Sequence, residues 1–232
     1  MRTLSMSIVL MLMIFAPVLA FATGQQGNVL LLNEKRYAIH TNPLEAYLEK
    51  HPNTLPISDV ISTANWRGYI ATWEVRADRF LLRNVEILQS IKKQDDRSFS
   101  TELRSVMDTL FPGQKDVVAD WFTGHVIVPN GKLVEYVHMG YASTYQKYIL
   151  LRVERGVVTR IWNANRSAFK RFRDSQFAAF KTTDEYREAL ADVSKDQENK
   201  MKESQAEEFL REFYAERYMS LIFNDSSLDK GN

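Results

Sequence analysis

The chain has 232 residues, no cysteine, and 30 Lys and Arg against 29 Asp and Glu, for a formal net charge of +1. The lack of cysteine excludes disulfides, thiolate nucleophiles, cysteine-ligated zinc and an acylated lipoprotein cysteine. Near-neutrality leaves no overall field to draw in nucleic acid or an anionic membrane.

The first residues carry the pattern of an export signal. Arg2 gives a short positive region, residues 8–15 (IVLMLMIF) are apolar, Pro17 breaks the run, and Ala20-Phe21-Ala22 is a small-x-small cleavage pattern. The uncharged stretch from Ser7 to Ala22 falls short of the roughly 20 residues of a membrane-spanning helix. The sequence therefore predicts a signal peptide over residues 1–22, cleaved after Ala22 or alternatively after Ala20, with no transmembrane segment once it is removed. It also predicts a periplasmic or secreted location, and export without cysteine fits a bacterial protein. Removal of the leader takes Arg2 with it and leaves the charges balanced.

Residues 23–232 read as one domain, long enough to bury about 70% of its unfolded surface without staples. Residues 29–32 and 37–40 form a strand pair around Asn33-Glu34-Lys35. Asn42-Pro43 starts a helix that ends near His51-Pro52. Residues 61–75, with WRGYIATWEV, put Tyr69, Ala71, Trp73 and Val75 on one strand face, and the turn Arg76-Ala77-Asp78 makes a second hairpin. Ser100 caps a predicted helix bearing Leu103, Val106, Met107 and Leu110, which Pro112-Gly113 stops.

Residues 121–162 then read as four strands, reversing at Pro129-Asn130-Gly131 and at Arg155-Gly156. Beyond Asn163 the apolar spacing turns helical: Phe169, Phe172, Phe177 and Phe180 mark one helix, and Thr182-Thr-Asp-Glu185 has capping-box spacing for the next. A break is expected near Ser194, before a last helix with Met201, Leu210, Phe213, Tyr214, Tyr218, Leu221 and Ile222 on one stripe.

The predicted class is α+β: a single antiparallel sheet of about seven or eight hairpin-connected strands, strongly curved or barrel-like, with an inserted helix and C-terminal helices packed on it. Residues 23–163 are mainly β and 164–223 helical. A separate C-terminal helical arm is the alternative.

Candidate chemistry centres on His125, Glu135 and His138. A two-residue turn at Asn130-Gly131 sets the two histidines on one face; a type I turn with a glycine bulge, which Pro129 favours, sets His125 opposite Glu135. The first arrangement suits acid–base work or a metal, the second an oriented histidine that lacks a third member. Two ligands do not make a zinc site, so neither metal nor cofactor is expected. Three Ser-x-x-Lys matches, at Ser90, Ser167 and Ser227, show how little that pattern discriminates, and no nucleophile elbow, P-loop or HExxH occurs.

Arg166, Lys170, Arg171 and Arg173 alternate with Phe169 and Phe172, a mixture that binds phosphate groups or an anionic surface when exposed but at helical spacing packs its rings on a sheet. The strand aromatics Trp66, Tyr69, Trp73, Trp121, Tyr136 and Tyr141 are candidate binding residues, and Arg67, Glu74 and Asp120 beside the tryptophans leave room for a polar cleft.

The leading expectation is a non-catalytic exported protein that binds an envelope protein or a small ligand, not nucleic acid, through an aromatic, mixed-polarity sheet surface. Two alternatives stand beside it: a hydrolase or metal-dependent enzyme centred on His125, Glu135 and His138, and a structural envelope protein forming homo-oligomers through the C-terminal helix.

Overall fold

The computed structural model describes residues 25–60, 62–92, 99–137, 141–195, 202–222 and 225–229. The leader expected at 1–22 and His138 lie outside them.

Three chain reversals of the β region follow the same chemistry. Strands β1 (Asn28–Leu32) and β2 (Lys35–Ile39), β3 (Tyr69–Arg76) and β4 (Arg79–Lys92), and β8 (Thr144–Glu154) and β9 (Val157–Asn165) are each joined by two residues. Those residues, Asn33-Glu34, Ala77-Asp78 and Arg155-Gly156, all have positive φ, as the hairpin turn that matches strand twist requires. At Gly156 an added Cβ would also lie 2.8 Å from Val118 Cγ1 and 2.9 Å from the Ala119 backbone, so the position admits only glycine.

The sheet has nine strands in the path β2-β1-β3-β4-β9-β8-β7, with β5 (Phe99–Ser105) and β6 (Val117–Val118) both paired to β4 and β7 spanning Gly124–Glu135. It is mixed rather than antiparallel, because β1 pairs β3 in parallel. The connection between β2 and β3 is long enough to cross back over and return in the same direction.

Nor is the sheet a barrel. Its two ends are tied at one point, where His40 N–H donates to Ile127 O at 2.8 Å and Thr41 Oγ1 accepts from Ile127 N–H at 3.0 Å. A single pair, Arg79 with Val157, joins β4 to β9, so the sheet has two wings.

Two expected helices are smaller than the periodicity suggests. The segment after Pro43 makes one helical turn, α1 (Glu45–Leu48). Residues 99–105, read as helix, are strand β5, because the 14-residue β4 offers them a full ladder from Glu86–Ser105 to Lys92–Phe99. Only α2 (Met107–Leu110) is helical there. Val106, Met107 and Leu110 are buried while Leu103 is exposed, so three of the four residues of the apparent helical stripe belong to the core and Leu103 does not.

The turn expected at Pro129-Asn130-Gly131 is absent. β7 runs straight through it and pairs with β8 from Gly124–Val153 to Glu135–Thr144, with irregularities after Asn130 and Leu133. Gly131 takes φ +80° and its N–H is accepted by Asn130 Oδ1 at 2.9 Å, which makes this a bulge rather than a reversal. Proline is tolerated because β7 is an edge strand.

One core gathers Leu30, Trp73, Phe80, Val126, Leu151 and their neighbours from both wings. The opposite face of β7–β9, with Ile127, Tyr148, Leu150 and Trp162, is covered by the C-terminal helices. Helix α3 (Arg166–Phe180) supplies Phe169, Phe172, Phe177 and Phe180, all buried, and begins at Asn165, whose Oδ1 accepts from Ala168 N–H at 2.9 Å.

α4 (Asp184–Lys195) starts behind Thr183, one residue later than the capping box read from Thr182, and the break near Ser194 falls at the edge of the described residues. The single last helix is divided at Tyr214 into α5 (Glu203–Phe213) and α6 (Ala215–Ser220), with α7 (Ser226–Asp229) beyond. Its stripe packs within the chain at Leu210 and Tyr218, while Phe213 stays exposed and Met201 lies outside the described residues. Among the described residues no helix is long and apolar enough to cross a membrane.

Candidate functional site

The through-running β7 separates the residues chosen from the sequence. His125 is fully buried near the start of the strand, with Nδ1 2.9 Å from Leu221 O and Nε2 2.8 Å from Asp225 Oδ1. Arg152, its cross-strand neighbour, donates from Nη1 to the other Asp225 oxygen at 2.6 Å. Burial lowers the His125 imidazole below its ordinary range, opposed chiefly by the Asp225 carboxylate. Both ring nitrogens face acceptors, so the histidine anchors the segment after α6 to β7 and leaves no nitrogen for a ligand. Glu135 lies at the far end of the strand, exposed, 3.7 Å from Arg166 Nη2. Among the described residues no three His, Asp or Glu side chains group to hold a metal.

The aromatic set divides by burial. Tyr69, Trp73 and Tyr141 are core residues, Trp121 is half-buried with its Nε1–H donated to Pro43 O at 3.1 Å, and Trp66 and Tyr136 are exposed. Trp66 is not on a strand: it sits in the 62–68 loop, which Gln25 holds by accepting Trp66 N–H at 3.2 Å and donating to Thr63 O at 2.7 Å. The exposed aromatics therefore do not share a sheet face.

A buried polar network lies next to that loop. Asn28 on β1 donates from Nδ2 to Asn42 Oδ1 at 3.0 Å, and its Oδ1 accepts from Ala71 N–H at 2.8 Å. Tyr141 O–H donates to the same Asn42 oxygen at 3.1 Å, and Arg67 Nη1 donates to the Tyr141 hydroxyl at 2.5 Å. Asn42 Nδ2 in turn donates to Glu216 Oε1 on α6. Beside them Tyr69 O–H donates to Glu45 Oε1 on α1 at 2.8 Å. Asn42 thus links the first strand, the β3 approach and the last helices, and each amide or hydroxyl has a defined partner.

Above this network is a cleft of about 340 Å³ lined by Asn42, Glu45, Glu49, Glu216 and Arg217, with Trp66, Phe213 and Tyr214 as its aromatic members. A second hollow of about 240 Å³, toward Trp121 and Thr123, shares Asn42, Glu45, Glu49 and Arg217 as walls. Three carboxylates line the main cleft against one cation, and Arg217 is already divided between Glu49, at 3.0 Å, and Glu185. Burial raises the Glu216 carboxyl to about 7, with Arg67 pulling it down and Glu45 pushing it up. Burial likewise holds the Tyr69 and Tyr141 hydroxyls protonated well above neutrality.

Sequence reasoning noticed Arg67 beside Trp66 but not Glu45, Asn42 or Glu216. Asn42 and Glu216 are separated by 174 positions, and no spacing rule joins residues that meet only when α6 folds back against α1. Of the charges noted beside the tryptophans, Glu74 belongs elsewhere, in a surface cluster with Arg76, Arg83 and Asp116. No family model, curated protein or solved structure matches the chain.

Proposed function

We propose that the chain is an exported, non-catalytic binding protein whose ligand is a small amine-bearing molecule held in the cleft between α1, the 62–68 loop and α5–α6. This reading moves the aromatic, mixed-polarity surface expected on the sheet to that cleft. The observation that carries this reading is the make-up of the walls: three carboxylates against a single cation, Arg217, which Glu49 shares with Glu185, and three aromatic rings, of which Trp66 is 67% exposed. A cation is attracted to ring faces and to carboxylates, and a concave site with few, convergent polar groups is the usual form of a small-molecule site. Export rests on the residue pattern of 2–22.

Calorimetric titration of 1,4-diaminobutane and of maltose into wild type and Trp66→Ala tests the proposal. Diamine binding that weakens about tenfold in Trp66→Ala is the expected result. Saccharide binding without diamine binding would keep the cleft and replace the ligand class, and no binding of either would remove the proposal.

One observation favours a second reading. Glu216, protonated to about half at neutral pH, shares the cleft with Glu45, the pairing an acid–base hydrolase uses. Turnover of chromogenic esters or glycosides, abolished in Glu216→Gln, is its test.

A further inference from the structure

A further hollow, independent of the two described above, lies where the far end of β7 meets the start of β8 and the first two turns of α3. It measures about 300 Å³ and is lined by Arg166, Ser167, Lys170 and Arg173 from α3, Thr144 and Tyr148 from β8, and Glu135 from β7. The spacing of the α3 residues explains the assembly. Positions 166, 170 and 173 recur at four and three and so share one helix face, while Phe169 turns inward to stack on Tyr148 at a centroid distance of 3.6 Å and floors the hollow.

The charges in this hollow are only partly consumed by the protein. Arg166 is 3.7 Å from Glu135 and Arg173 is 3.6 Å from Glu212, both beyond hydrogen-bonding distance, so the guanidinium donors are not spent there. Lys170 is 2.8 Å from Asp174, but that carboxylate also accepts from Arg211 at 2.7 Å and so keeps a cation without Lys170. Two polar atoms of the lining residues, Thr144 Oγ1 and Arg173 Nε, are shielded from solvent and have no hydrogen-bond partner. An atom in that state costs stability unless something supplies the missing bond.

We infer that this hollow binds a phosphate-ester group. Three cations against one lining carboxylate select an anion, and two guanidiniums suit a group with several oxygens in fork geometry. The hydroxyls of Thr144 and Ser167 add donors that a phosphate can use and a chloride cannot fix in direction. Such a group can arrive on a soluble metabolite or on a lipid headgroup. Leu133 and Val134, next to Glu135 on the same strand end and each nearly half exposed, are what would distinguish a lipid source.

The test uses the full mature chain with two probes: glycerol 3-phosphate, followed by calorimetry, and flotation with vesicles of phosphatidylglycerol and phosphatidylcholine against phosphatidylcholine alone. The variants are Thr144→Val and the double Arg166→Gln/Lys170→Gln. Because Thr144 Oγ1 has no partner and the two cations sit in loose or exposed pairs, both variants are expected to melt as wild type does.

Their phosphate binding is expected to fall about tenfold and about a hundredfold respectively. Binding of glycerol 3-phosphate supports the site with a soluble source, and selective flotation with phosphatidylglycerol supports it with a lipid source. Failure of both probes on wild type, or binding unchanged in both variants, overturns it. Trp66 does not line this hollow, so Trp66→Ala leaves this binding unchanged.

Discussion

Half-buried Glu216 and buried His125 are the two ionisable residues on which the C-terminal part of the chain turns, and they act differently. Glu216 has one amide partner and is open to the cleft, so its charge is available to a ligand. Its carboxyl, raised to about 7 by burial, is protonated below that pH and ionised above it. Affinity for an amine should therefore rise with pH through about 7 and level off above it, as calorimetry across that range will measure. In Glu216→Gln the Asn42 contact is kept and the charge lost: affinity should fall about tenfold and its dependence on pH should disappear.

His125 is a fastening instead. Its replacement by alanine removes the contacts to Leu221 O and Asp225, one of which the neutral ring donates as a hydrogen bond, and a ring packed edge-on to Phe172 at 5.1 Å. The expected loss is about 3 kcal/mol in equilibrium unfolding, with hydrogen exchange in residues 225–229 rising before the rest. Full protection of that segment in His125→Ala would show that the histidine does not fasten it.

At the scale of elements, the parts of the fold legible in the sequence are those decided locally. The hairpin turns at 33–34, 77–78 and 155–156 and the phenylalanine stripe of α3 follow from residue type and period alone. Gly156→Ala should cost more than the roughly 1 kcal/mol of a strained left-handed residue, since its Cβ also collides with Val118 and Ala119. Thermal unfolding of that variant is the check.

What was illegible depended on partners distant in sequence. Residues 99–105 carry a helical period but become β5 because β4 extends far enough to pair them. Asn130-Gly131, a strong turn signal, becomes a bulge because β8 continues to pair on both sides of it. With the reversal gone, His125 and Glu135 lie at opposite ends of one strand, and the site imagined between them dissolves. The cleft was hidden for the same reason, since its walls come from residues near 42–49, 66 and 213–220. Local reading offered only Arg67 beside Trp66 as a hint of it.

At the scale of the whole molecule, the buried His40 and His125 and the half-buried Glu216 set opposing pH responses. His40, stacked on Tyr141 at 4.6 Å, is lowered by burial from 6.5 to about 3. Below pH 6.5 the unfolded chain takes a proton there that the native state refuses, so stability falls with acid at up to about 1.4 kcal/mol per pH unit until about pH 3. Glu216, raised from 4.5 to about 7, does the reverse: the native state binds the extra proton, and stability rises as pH falls from about 7 to 4.5. Between about 6.5 and 4.5 Glu216 should offset His40 and leave the decline due to His125, and below 4.5 the decline should steepen. Glu216→Gln should expose the combined slope of His40 and His125 from pH 6.5 downward, and denaturant unfolding at a series of pH values measures both curves.

The state of the Glu216 carboxyl is the most direct test of the cleft as a ligand site. Side-chain carboxyl carbons of the labelled chain can be followed by nuclear magnetic resonance across pH, with the Glu216 signal assigned by its loss in Glu216→Gln. We expect a midpoint near 7 in the free protein that moves down when 1,4-diaminobutane is added, because a bound ammonium favours the ionised form. A midpoint at the ordinary 4.5, unmoved by the diamine, would contradict a desolvated, ligand-binding carboxylate at this position.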